Sequence, residues 1–182
     1  WLIGATDLLR PDFADIGHPL GNVAVSCGWP SRGGTASSKR VIGQCWAAST
    51  SAGGRPEVFI SPALANPVEV LGTLVHEHVH ALGIMGHGKP FRDVAVALGL
   101  SGKMTATTAG EGLTMRLKDI AAILGPYPHK GINAVGALKV QGTRMLKVEC
   151  AECGCVLRMT RTWLDKSGVP SCGCGAEMAE AA

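Results

Sequence analysis

The apolar positions along the chain change period several times, and each change marks a predicted element. Over residues 66–82, Leu71, Leu74, Val75, His78 and Leu82 recur at helical spacing and form one stripe. Asn66 stands where a cap is needed, Pro67 suits the first helical position, and Glu69 completes a capping-box pattern. A second helix is predicted from Pro90, with Phe91, Val94, Ala95 and Leu98 inward and Gly99 at its end. A third covers residues 113–124, with Leu113, Leu117, Ile120 and Leu124 on one side. Near the start, Leu2, Ile3, Ala5, Leu8 and Leu9 make a partial stripe that Pro11 is expected to end or kink.

Elsewhere the texture is β-prone. Residues 23–27, 41–46 and 57–61 read as short strands, separated by Gly/Ser/Pro clusters over 30–38 and 49–56. Residues 99–112 are rich in Gly, Ser and Thr and read as a flexible loop. From Leu138 onward short strands alternate with cysteine pairs. The expected class is α+β, with a main domain over 1–130 and a small one over 131–182.

Composition narrows the picture. The chain has 182 residues, 46% hydrophobic and 17% charged, which fits a globular protein. Aromatics are only 4%, so the core must rest on aliphatic side chains. A net charge of +3 permits contact with nucleic acid without arguing for it. No apolar run approaches membrane-spanning length. The chain opens Trp1-Leu2-Ile3-Gly4, without the basic segment and long apolar run of a secretory signal, and lacks an initiator Met, which suggests trimming. A reducing, cytoplasmic setting is the expectation.

The candidate chemistry sits on the strongest helix. His76 and His80 lie four residues apart, on one face and one turn from each other. Glu77 adjoins them, giving H-E-x-x-H, in which two imidazoles bind Zn²⁺ and the Glu is general base. Gly83, Gly86 and Gly88 allow the chain to turn back and deliver His87 as a third ligand. His78 falls about 200° round from His76, on the packing face, and reads as a core or supporting histidine. Asp12, Asp15 and His18 read as a solvated loop, and Tyr127 and His129 as a surface linker. Cys27 and Cys45 read as buried small hydrophobes within strands.

Near the C-terminus, Cys150-x-x-Cys153 and Cys172-x-Cys174 flank 18 residues. With a strand over 156–163 and a turn over 168–170, this outlines a zinc ribbon: four thiolates around a structural Zn²⁺. Cys155 is a spare thiol able to replace a neighbour. Lys147, Arg158, Arg161 and Lys166 surround Trp163, a combination that can hold a nucleic-acid backbone and stack a base, and that can equally be solvated surface.

The order His76-Glu77-x-x-His80, His87-Gly88-x-x-Phe91, then cysteine pairs resembles the SprT-like family of zinc metallopeptidases, the relatives of Spartan, over residues 20–175. Metzincin spacing is missed by one residue at His87. The gap from Ala81 to His87 is shorter than in Spartan, and the second cysteine pair is one residue tight. The resemblance implies a minimal zincin-like domain, a catalytic and a structural zinc ion, protein substrates, and proteolysis linked to DNA through the ribbon. Two other readings stay open: a non-enzymatic nucleic-acid-binding zinc protein, and a peptidase dedicated to one regulatory protein.

Overall fold

The chain is described here from a computed structural model over residues 1–35, 40–134 and 145–181. It divides into two compact units, Trp1–Val135 and Gly136–Ala182. The class is α+β, as the alternating periods predict.

The larger unit is built around one helix, α2 (Pro67–Ala81). Asn66 Oδ1 accepts from the N–H groups of Val68 (2.9 Å) and Glu69 (3.2 Å), satisfying two donors that the first turn leaves open. Such a cap contributes about 1 kcal/mol. Leu71, Leu74, Val75 and His78 are all buried, so the predicted stripe is the packing face. Against it lie α1 (Leu2–Asp15) and α4 (Glu111–Leu124), which contribute Leu9, Phe13, Leu117 and Ile120 to the core.

On another side of α2 lies a small sheet of β1 (Ala24–Cys27), β2 (Gly43–Trp46) and β3 (Glu57–Ile60). The order is β1-β3-β2, with β1 parallel and β2 antiparallel to the central β3. Val58 and Ile60 of β3 are fully buried. After α2, Gly83 (φ +90°) reverses the chain and leads to α3 (Lys89–Ala97), whose Phe91, Val94 and Ala95 turn inward as expected.

Three expectations are corrected here. Helix α1 runs through Pro11, so Asp12 and Asp15 lie in its last turns and not in a loop. Asp12 is held by the guanidinium of Arg116 from α4 (Nε–Oδ1 3.0 Å). Residues 99–112 are not a flexible loop: they form the hairpin β4 (Leu100–Lys103) and β5 (Ala106–Ala109) and the start of α4. Cys27 is exposed, whereas Cys45 is buried as expected.

The smaller unit pairs β6 (Leu146–Cys150) with β7 (Val156–Met159) on one side and β8 (Met178–Glu180) on the other, all antiparallel. The strand expected over 156–163 ends at Met159. Thr160 then caps a short helix, α5 (Arg161–Ser167), by accepting from Trp163 N–H at 3.4 Å, so Trp163 lies on a helix. No described helix is long and apolar enough to cross a membrane.

His78 ties α2 to α1. Its Nε2 donates to Thr6 Oγ1 (3.1 Å), because the Thr6 hydroxyl is already committed as donor to Leu2 O (2.9 Å). His78 is fully buried, and burial lowers its pKa to about 3, so it packs as a neutral ring beside Phe13. Thr6→Val should strip the ring of its one partner and lower the unfolding free energy by about 1–3 kcal/mol in denaturant titration. Unchanged stability would contradict the pairing.

Candidate metal centre and cleft

Helical spacing places His76 and His80 one above the other on α2, and the glycine turn brings His87 opposite them. His87 Nε2 lies 3.2 Å from His76 Nε2 and 3.2 Å from His80 Nε2. A tetrahedral zinc with Zn–N of about 2.0–2.1 Å separates its ligand nitrogens by about 3.3 Å. Two of the three edges therefore already stand near the length such an ion requires, and all three nitrogens lie within 4.8 Å of one another.

Their protonation points the same way. His80 Nδ1 donates to Ile84 O at 2.6 Å, and a carbonyl only accepts, so in the neutral ring Nε2 carries the lone pair. His76 Nδ1 pairs with Thr107 Oγ1 at 2.8 Å, which orients the ring with its Nε2 toward the centre. Burial lowers the pKa of all three rings, and mutual repulsion lowers that of His76 further, to about 4. With its own Nε2 as the lone-pair nitrogen, His87 would complete three donors facing one point, an arrangement that a cation between them stabilises. The donor set fits a metal ion.

Phe91 forms the floor. Its ring centroid lies 4.8 Å from His76, 4.7 Å from His80 and 4.8 Å from His87, and it is fully buried. The aromatic of H-G-x-x-F thus supports all three imidazoles at once. Among the described residues the cluster holds three histidines and no fourth protein donor.

Glu77 is 5% exposed and lines the cavity beside them. Burial pushes its carboxyl up to about 8. Strand β2 lies directly over it: a Cβ on Gly43 would come within 2.5 Å of Glu77 Oε1 and 2.7 Å of Thr73 Cγ2. Only glycine lets the strand approach α2 this closely. Cys45, two residues on, is buried on the same face, and burial and the Glu77 charge raise its thiol to about 12, so it is an inert packing group.

The cavity is about 660 Å³. Its walls are β2 on one side and the β4–β5 hairpin on the other, with α2 as the base. Among the described residues, strand β2 pairs with β3 alone. Ser61 N–H donates to Ile42 O, so Ile42 faces β3, and by alternation Gly43 and Cys45 turn their N–H and C=O groups to the open edge. Gly43 and Thr107 were not singled out in sequence. A glycine inside a predicted strand is a usable signal for close approach, whereas Thr107 sat in a stretch read as loop.

In the second unit Cys150, Cys153, Cys172 and Cys174 bring their sulfurs within 4.8 Å of one another. Cys150 and Cys174 are 3.6 Å apart and Cys153 and Cys172 3.3 Å, too long for disulfides and near the roughly 3.8 Å edge of a tetrahedral Zn–S₄ site. The Cys174 main chain hydrogen-bonds the Cys172 sulfur and lowers its pKa to about 7. Cys155 lies outside this cluster. The tight C-x-C pair is therefore no obstacle to four-fold convergence.

The remaining candidates lie elsewhere. His18 is exposed after α1. His129 Nε2 bonds Pro62 O (2.8 Å), and Tyr127 packs edge-on against Trp1, so neither lines the cavity. Of the four cations singled out in this unit, Lys147 pairs with Glu149, and Arg161 with Glu180 (2.6 Å) and Asp165 (3.9 Å). Lys166 stands 5.9 Å over the Trp163 ring.

What these residues define is a cleft with a three-histidine metal-competent centre in the larger unit and a four-cysteine one in the smaller. Comparison with family models, curated proteins and solved structures finds no match.

Removing the floor tests the first centre. Phe91→Ala should weaken metal binding at the histidines by about 10–100-fold in chelator competition, while Phe91→Leu keeps most of it. Equal affinity in Phe91→Ala and the parent would contradict the supporting role.

Proposed function

We propose that the chain is a zinc metallopeptidase of the SprT-like kind, with His76, His80 and His87 holding the catalytic metal and Glu77 as general base. The observation that carries this reading is the convergence of three neutral imidazole nitrogens, 3.2 Å apart along two edges, beside a carboxyl and an open cleft. A structural site usually closes its fourth position with a protein ligand, and a catalytic one leaves it open. The absence of a fourth protein donor among the described residues favours the catalytic form over a purely structural, nucleic-acid-binding protein.

Zinc in such a site supplies Lewis acidity, making water a nucleophile at neutral pH and polarising a carbonyl. The protein's own groups do the rest. A cation held by the three histidines would favour the ionised form of Glu77 against the effect of burial, and that carboxylate takes the proton of the attacking water and returns it to the leaving nitrogen. Thr107 and Ile84 fix the rings of His76 and His80 by hydrogen-bonding their Nδ1 atoms. The open edge of β2 offers main-chain groups of Gly43 and Cys45 to an extended peptide beside the metal, as in β-strand addition.

The four-cysteine cluster belongs to this reading as the structural zinc site of a ribbon. Action on DNA-associated proteins comes from the resemblance alone. Arg158 and Lys166, the two of the four cations without a carboxylate partner among the described residues, are its contact candidates. The cytoplasmic setting is likewise part of the proposal.

Glu77→Gln should keep both metal ions and lose at least about a hundredfold of casein or self-cleavage activity. Retained turnover in that variant, with zinc content unchanged, would overturn the role of Glu77.

A further inference from the structure

The smaller unit carries five cysteines where a tetrahedral site uses four. The fifth, Cys155, is a free and exposed thiol. The hairpin of β6 and β7 seats it beside the site. Glu149 pairs with Val156, so the next pair in register is Cys150 and Cys155, and Cys150 N–H donates to Cys155 O at 3.0 Å. The main-chain N–H of Cys155 in turn bonds the Cys153 sulfur. From between these anchors its side chain interacts with Cys172 on the second cysteine turn and, by charge alone, with Cys150 and Cys174. Yet it stands outside the four sulfurs that converge within 4.8 Å.

A zinc-bound cysteine is a thiolate, and the thiolate is the form that peroxides oxidise. Cys150 is buried, whereas Cys172 is part-exposed and has the spare thiol of Cys155 as a neighbour. A cysteine oxidised to the sulfenic acid is rescued as a disulfide where a second thiol stands ready, and otherwise goes on to the irreversible sulfinic acid. Cys155 is placed to be that second thiol. It belongs to the first cysteine turn and Cys172 to the second, so a bond between them spans the same two turns that a metal ion would clamp.

We propose that Cys172 and Cys155 form a reversible oxidation site, at which a hydroperoxide exchanges the zinc clamp of the smaller unit for a disulfide clamp. This rests on the four-cysteine zinc reading and goes beyond it. The Cys172 thiolate attacks one oxygen of hydrogen peroxide and expels hydroxide, which leaves a sulfenic acid, a poor ligand. The Cys155 sulfur then attacks the Cys172 sulfur, and its proton leaves with the displaced hydroxide as water. The two sulfurs together give up two electrons, and the peroxide is reduced to water and hydroxide. Three thiolates remain, too few to retain the ion. The new bond keeps the two turns together in its place.

The full-length chain is first loaded with cobalt(II), whose thiolate charge-transfer absorption reports the cysteine site apart from the histidines. Absence of that band would sink the zinc-ribbon reading and this inference with it. The zinc-loaded chain is then treated with hydrogen peroxide, and zinc release, disulfide mapping by mass spectrometry and zinc rebinding after a thiol reductant are followed. The expected result is a disulfide between Cys155 and Cys172 that forms in step with loss of the cysteine-bound zinc, and full rebinding after reduction. Cys155→Ser should take up zinc as the parent does, yet after peroxide end with sulfinic acid at Cys172 and recover at least about tenfold less zinc binding on reduction. Zinc release without a bond between Cys155 and Cys172, or full recovery in Cys155→Ser, would overturn the site while leaving the ribbon reading intact. Failure of untreated Cys155→Ser to bind zinc at the cysteines would overturn it as well, by making Cys155 a ligand.

Discussion

Three imidazole rings held with their Nε2 atoms toward one point are the constraint around which the larger unit is arranged. Each ring is fixed from behind. His80 is fixed by a carbonyl of the turn that follows α2, His76 by a hydroxyl from the β5 hairpin, and all three by the Phe91 ring beneath them. These supports come from separate stretches of chain, and α2 is the one element that touches them all. The capped first turn of α2, its apolar stripe against α1 and α4, and the glycine reversal at Gly83 all set where His76, His80 and His87 stand. Stability and site geometry are therefore not separable in this fold: the buried His78–Thr6 bond that joins α2 to α1 lies between His76 and His80 in sequence.

The parts of this arrangement that rest on local rules were legible in the sequence. Asn66 and the period of Leu71, Leu74 and Val75 define α2, and Phe91, Val94 and Ala95 define α3, because a helix buries residues at its own repeat. The fate of His78 followed from the same geometry. What escaped depended on contacts distant in sequence. The hairpin over residues 100–109 carries Thr, Ser, Gly and Ala, with little apolar alternation, so its strands had no signal apart from the turn between them. Its partnership with α2 is what makes it ordered, and Thr107 could not be tied to His76 from 31 residues away. Helix α1 passes through Pro11 because packing against the core outweighs one missing hydrogen bond. In the smaller unit the β-prone run from Val156 continued into Trp163 on paper, while Thr160 ends it by capping α5.

The two metal-competent centres differ in a way that matches different duties. The cysteines hold four soft donors and no open position, and they close a unit too small for an ample core. The histidines supply three donors, border a cavity of about 660 Å³, and stand beside a buried carboxyl. The contrast of a filled site with an incomplete one is the physical basis for assigning structure to the first and chemistry to the second. The carboxylate partners of Lys147 and Arg161 show in addition that much of the cationic charge near Trp163 is already neutralised within its own unit.

The central claim is that three histidines of this chain share one zinc ion and leave a position for solvent. Anomalous diffraction at the zinc edge, from crystals of the zinc-loaded full-length chain, tests it most directly. The account predicts an ion about 2.0–2.1 Å from Nε2 of His76, His80 and His87, with a solvent oxygen as the fourth neighbour. An ion bound by a fourth protein side chain, or zinc found only at the cysteines, would contradict it.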